Sequence, residues 1–244
     1  MKNIHLKRIF ALMLVTVMLM CAQVGMADES QFLVEEASID PRPASERQTY
    51  ERLVDAWAET LEDEEADVVF LGDSITAGGK WQEYYDDYDV ENLGVVADYI
   101  LDVQKRLVLL ESLQPDKCFL MVGINDLRKS AEGEEGRILK EYDRLLAELA
   151  EMSEDIGMTV YVQSILPFQP GMKKEARLTN AMIRDFNEEI EEMADSYNMT
   201  YVDIHSLLTD DEGNLGEEYT SDGLHIYPNA YEVWCEEIRS CVEE

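Results

Sequence analysis

Asp67-Val68-Val69-Phe70-Leu71-Gly72-Asp73-Ser74 is the stretch that decides the fold. Its apolar core is too short for a helix and stops at Gly-Asp, so it reads as a strand covered on both faces. Such a strand needs neighbours, and the chain supplies them in alternation with helical patterns. Upstream, Tyr50, Leu53, Val54, Trp57 and Leu61 recur at helical spacing within 45–62. Downstream, the pattern predicts strands over 88–93, 118–122, 158–165 and 199–204. It predicts helices over 97–111, 138–153 and 176–197, and a last helix opened by Pro228 and running toward Cys241. The expected fold class is α/β: a three-layer α/β/α sandwich around a five-stranded parallel sheet, flavodoxin-like, in the order 2-1-3-4-5. That order puts a crevice between the first and third strands, beyond their carboxyl ends. Ser74 follows the first strand and Asn125 the third.

Three tetrapeptides carry the chemistry: Gly72-Asp73-Ser74-Ile75, Gly123-Ile124-Asn125-Asp126 and Asp222-Gly223-Leu224-His225. Ser74 is the candidate nucleophile and His225 the candidate general base. Asp222, three residues before His225, can reach its Nδ1–H across one turn. Asn125 can donate its side-chain amide to a developing oxyanion. Each also has a bland reading: a helix cap for Ser74, a surface turn for Asp222, an Asx-turn for Asn125. His205, just past the fifth strand, is a rival base, but no acid precedes it by three. Trp81 and Tyr84, with Tyr85 and Tyr88, follow Ser74 and offer either a wall for stacking a sugar or ordinary packing.

These blocks resemble those of the SGNH, or GDSL-type, serine hydrolase family, and the order holds from Val68 to Trp234. Gly72-Asp73-Ser74 is similar to the first block and Asn92-Leu93-Gly94-Val95-Val96-Ala97-Asp98 to the second. Gly123-Ile124-Asn125-Asp126 is similar to the third, and Asp222-Gly223-Leu224-His225 to the last. Tyr161 to Pro167 also resembles a fourth-strand segment of bacterial members. The resemblance implies a catalytic set of Ser74, Asp222 and His225, with an oxyanion hole from the N–H groups of Ser74 and Ala97 and the Asn125 amide. One departure stands out: the family usually has glycine where this chain has Ala97. Alanine keeps the N–H, but a positive φ there costs about 1 kcal/mol.

Composition bounds the rest. Lys2, Lys7 and Arg8 precede an apolar run from Ile9 to Ala22 and then Gly25-Met26-Ala27, which reads as a secretory signal peptide over 1–27. A lipid anchor at Cys21 fits poorly with bulky Met20 before it. Residues 28–44, with Pro41 and Pro43, read as an irregular lead-in, and 45–244 as the hydrolase-like domain. The formal charge of −33 becomes −36 once the three leader cations are removed (−33 − 3). Such a surface repels nucleic acid and anionic bilayers. Neither a cofactor nor a metal is expected: only His205 and His225 remain beyond the leader. Asp210-Asp211-Glu212-Gly213-Asn214 lacks calcium-loop spacing and reads as a turn. Cys118, Cys235 and Cys241 have no CxxC spacing and read as thiols.

The expected activity is a secreted serine esterase acting on small acyl esters, O-acetyl groups on carbohydrate first among them. A lysophospholipase or thioesterase working on longer chains is the same-class alternative. A silent carbohydrate-binding protein on the same scaffold is the alternative of another class. The partner is a small-molecule or carbohydrate ester in each catalytic case.

Overall fold

The computed structural model describes residues 44–61, 64–171 and 177–244. The expected leader over 1–27, Cys21 and nearly all of the expected 28–44 lead-in lie outside these residues. The five strands are β1 Val68–Gly72, β2 Val90–Gly94, β3 Lys117–Met121, β4 Thr159–Gln163 and β5 Thr200–Val202. All pair in parallel, in the order β2-β1-β3-β4-β5.

Alternation along each strand feeds two cores. Val69, Leu71, Cys118, Leu120, Val160 and Val162 face one side. There they meet α1 (Ala44–Thr60), α4 (Ile100–Arg106), α5 (Val108–Leu113), α7 (Glu135–Ile156) and α8 (Asn180–Ser196). Val68, Phe70, Phe119, Met121 and Tyr161 face the other, against α3 (Trp81–Tyr84) and α9 (Pro228–Glu243). Because Phe70, Phe119 and Tyr161 are in register, their rings form a ladder, with centroids 5.1 and 4.6 Å apart. The remaining helices, α2 (Ser74–Gly78) and α6 (Ile124–Lys129), follow β1 and β3 directly.

Two helices start later than the sequence pattern predicts. The helix expected over 97–111 starts only at Ile100, because Ala97 is left-handed with φ +64°. One residue, Leu107, then separates α4 from α5 while keeping helical backbone. The helix expected from 176 starts at Asn180, where the Thr179 hydroxyl accepts the Met182 N–H at 3.1 Å. Among the described residues, no helix is long and apolar enough to cross a membrane.

Candidate active site

Register brings the separated blocks together. Gly72 at the end of β1 pairs with Gly94 of β2 and Met121 of β3. Ser74, Ala97 and Asn125 therefore leave the sheet side by side, each within four residues of its paired position. The glycines are required by crowding. A Cβ on Gly94 would lie 2.2 Å from the backbone nitrogen of Ala77, and one on Gly72 2.2 Å from the Met121 carbonyl. Any side chain at either position would push α2, and Ser74 with it, off the sheet. Asp73 caps α2 by accepting the Ile75 N–H at 2.9 Å. Its other oxygen, Oδ2, is buried with no hydrogen-bond partner among the described residues. Burial pushes the Asp73 carboxyl up to about 6, against the opposing pull of the Ile75 N–H and of the charges on His225, Arg106 and Arg128.

Ser74 Oγ lies 3.1 Å from His225 Nε2, and His225 Nδ1 lies 2.6 Å from Asp222 Oδ2. Asp222 Oδ1 accepts the backbone N–H groups of Leu224 and His225, at 2.9 and 2.8 Å. Partial burial acts to raise the Asp222 carboxyl, but the bonds from the His225 ring and from those two N–H groups outweigh it and hold it at about 2. An ionised Asp222 only accepts, so the Nδ1 facing it carries the proton. Nε2 then presents its lone pair to the Ser74 hydroxyl, the arrangement general-base activation needs. The loop is fastened by Thr220, whose hydroxyl donates to the His225 carbonyl at 2.7 Å and accepts the Gly223 N–H at 2.9 Å. Tyr231 on α9 donates to the Ile75 carbonyl at 2.6 Å, tying the helix that follows His225 to the helix that carries Ser74.

Across the crevice, Asn125 is buried and donates Nδ2 to the Asp98 carbonyl at 2.9 Å. Arg128 Nη1 donates to Asn125 Oδ1 at 3.3 Å, which sets which end of the amide faces the site. An amide nitrogen has two hydrogens, so binding Asp98 orients Asn125 while leaving a second donor. Asp126, next in the motif, accepts the Ile100 N–H at 3.2 Å and so caps α4. Burial pushes its carboxyl well above the usual range.

The sequence profile of the GDSL-like lipase/acylhydrolase family matches residues 70–233, a range that includes Ser74, Ala97, Asn125, Asp222 and His225. The chain belongs to that family. Its five-stranded parallel sheet, in the order β2-β1-β3-β4-β5, is the fold of GDSL hydrolases. Among curated proteins it is similar to the N-acylneuraminate cytidylyltransferase of Streptococcus agalactiae serotype V, 26% identical over 180 residues. The match covers 74% of this chain and 40% of that protein, so the chain spans about two fifths of its relative's length. Among solved structures, a Streptococcus pneumonia protein provisionally assigned as a platelet activating factor superposes with a TM-score of 0.69. It is 22% identical, and the match covers 88% of this chain and 100% of that one. The acetyl xylan esterase AlAXEase superposes with a TM-score of 0.55 at 22% identity, covering 72% of this chain and 98% of that one.

Other expected site residues take different places in this GDSL-family chain. Trp81 does not line a sugar wall: it is 1% exposed. Its ring stacks on Phe70 at 4.0 Å and its indole N–H donates to the Thr76 carbonyl at 2.9 Å. The indole is worth more as core, where it extends the aromatic ladder under α2. Tyr84 is half-buried against the same core, with Cys235 and Glu232 of α9 among its neighbours. Tyr85 is buried, its hydroxyl donating to the Cys235 carbonyl. His205 is also buried, its Nδ1 3.0 Å from the Ile165 carbonyl, and desolvation lowers its pKa. It is three strands away from Ser74 and faces a cavity of about 380 Å³ lined also by Arg184, Glu188 and Asp203. Among the described residues no group of three metal-ligating side chains occurs. Asp210 Oδ1 accepts the N–H groups of Glu212 and Asn214, so that segment is a turn.

Three residues that matter to the geometry escaped the sequence reading. Thr220 had a local signal, a threonine two before Asp222 in a turn. The capping role of Asp126, a residue of the third block, and the role of Arg106 had none, since their partners lie 26 residues away and 8 to 56 residues away, respectively.

Proposed function

We propose that this chain is a secreted serine esterase that removes small acyl groups, O-acetyl groups on carbohydrate above all. The observation that carries the mechanism is the Ser74 Oγ to His225 Nε2 distance of 3.1 Å, with Nδ1 bound to an ionised Asp222. Ser74 attacks the ester carbonyl as His225 takes its proton. The N–H groups of Ser74 and Ala97 and the Asn125 amide hold the oxyanion. His225 passes the proton to the leaving alcohol, then draws one from water as that water attacks the acyl-enzyme.

The open setting supports small acyl groups and a bulky alcohol side. The His225 and Asp222 side chains are each about half exposed (51% and 52%), so a large leaving alcohol can remain in solvent. A carbohydrate alcohol is in keeping with the sugar acid in the names of the curated relatives and with the xylan esterase among the structural neighbours. The basic, apolar and small-residue order of 1–27 supports export.

The test compares hydrolysis of aryl acetate and aryl decanoate, followed by a panel of acetylated sugars. Acetate is expected to be preferred, and Ser74→Ala to abolish turnover of both. Undiminished activity in Ser74→Ala would reject the mechanism, and a preference for decanoate would favour the long-chain reading.

A further inference from the structure

Arg106 is a cation with no exposed surface, held in the crowded space beneath the crevice. Its Nη2 donates to the Gly72 carbonyl at 2.8 Å and to the Leu93 carbonyl at 3.0 Å, at the carboxyl ends of β1 and β2. Its Nη1 pairs with Asp98 Oδ2, itself fully buried, and with the Tyr50 hydroxyl. Tyr50 in turn donates to Asp98 Oδ2 at 2.7 Å. Asp98 is the residue after Ala97, and its own carbonyl receives the Asn125 amide. The side chain of Asp98 thus faces Arg106 while its backbone faces two of the proposed oxyanion donors.

A left-handed alanine persists only where its surroundings over-determine it. Here one neighbour is held by a buried ion pair whose cation also grips both adjacent strand ends. The planar fork of arginine can reach these four acceptors in fixed directions; a lysine ammonium cannot span them. Burying both charges is costly, and a fold needing only to fill the space would do as well with apolar residues. The cost is accounted for if the pair sets geometry.

We propose that Arg106 is a positioning residue for the oxyanion hole. Acting through Asp98, it keeps Ala97 left-handed and the Asn125 amide turned to the Ser74 hydroxyl. This rests on the proposed serine mechanism but asks a separate question of it.

The experiment uses the full chain with Arg106→Lys and Tyr50→Phe, each with and without Ala97→Gly, assayed on aryl acetate. Circular dichroism and thermal melts establish that each variant is folded at the assay temperature. Arg106→Lys is expected to lower kcat by about 30-fold or more, since the loss of one full oxyanion donor gives 10²–10³. KM is expected to stay within about twofold, and the shape of the pH profile, set by the untouched Ser74, His225 and Asp222, to be retained. Glycine adopts a positive φ unaided, so Ala97→Gly is expected to raise kcat at least about five times more in Arg106→Lys than in the parent chain. An Arg106→Lys enzyme that is folded and within about threefold of the parent in kcat overturns the proposal. So does an Ala97→Gly effect of equal size in both backgrounds, which a purely structural role for the pair predicts. Should Arg106→Lys not fold, Tyr50→Phe decides: a drop in kcat of about threefold or more, eased by Ala97→Gly, supports the proposal, and an unchanged kcat overturns it. A parent chain whose activity survives Ser74→Ala fails on the mechanism itself, a result these variants cannot mimic.

Discussion

The two walls of the crevice are built by opposite means. The His225 wall, from Thr220 to Tyr227, presents Asp222 and His225 to solvent, and the side-chain bonds that shape its turn are local. Asp222 and Thr220 satisfy N–H and carbonyl groups no more than five residues away. The Ala97 wall rests on long-range contacts: Arg106 reaches Gly72 across 34 residues, Tyr50 reaches Asp98 across 48, and Asn125 reaches Asp98 across 27. A local turn needs little help from the rest of the fold to hold its shape. A strained loop needs all of it. The proposed base and its carboxylate can therefore sit in water, whereas the side chains that shape the proposed oxyanion site are buried.

The sharpest way to break this comparison is at Asp222. Asp222→Asn keeps a carbonyl oxygen for the Leu224 and His225 N–H groups but places an NH₂ against Nδ1, favouring the wrong tautomer. Steady-state kinetics should show kcat reduced by about 10⁴-fold, with the melting temperature changed little because the turn survives. A loss below about tenfold would show that Asp222 only builds the turn.

Asp73, one residue before Ser74, feels the charges of His225, Arg106 and Arg128, and its burial predicts a pH dependence of stability. Its carboxyl titrates at about 6 in the folded chain against 3.8 when solvated. The unfolded chain therefore loses this proton first. Between pH 4 and pH 6 the native state holds more protons, and its stability falls as pH rises, levelling above about pH 7. The difference of about two pKa units corresponds to about 3 kcal/mol. Asp73→Asn removes the titration while keeping an acceptor for the Ile75 N–H. Relative to this variant, the parent should lose about 3 kcal/mol of denaturant stability between pH 4 and pH 7.5; parallel curves would contradict the burial argument.

The smallest effect expected is at Ala97. Replacing a non-glycine residue at φ +64° by glycine should stabilise the fold by about 1 kcal/mol, read as a rise of the urea midpoint at unchanged slope. No rise would mean that the loop is not strained at that residue.

Legibility from sequence follows the same division. Runs such as Val68 to Leu71 and Cys118 to Val122 announce buried strands because burial on both faces demands continuous apolar side chains. Asp222 and His225 could be paired on paper because three residues and one turn fix their separation. Trp81 stays open on sequence for the complementary reason: an aromatic soon after Ser74 reads equally as wall or core. Only Phe70, Tyr231 and Trp234 packing around it decide. His205 and His225 are likewise both candidates on sequence, and the fold buries the former three strands away from Ser74.

The amino-acid order by itself determined the alternation of strands and helices, the parallel sheet, the Asp222–His225 pair and the family. These are properties of short windows, where periodicity and turn chemistry act between near neighbours. The sign of φ at Ala97, the core position of Trp81 and the hold of Arg106 on Asp98 and both strand ends were decided only by tertiary structure. Each depends on atoms brought together from distant parts of the chain by the register of β1 with β2 and β3, and no local pattern encodes that register's consequences.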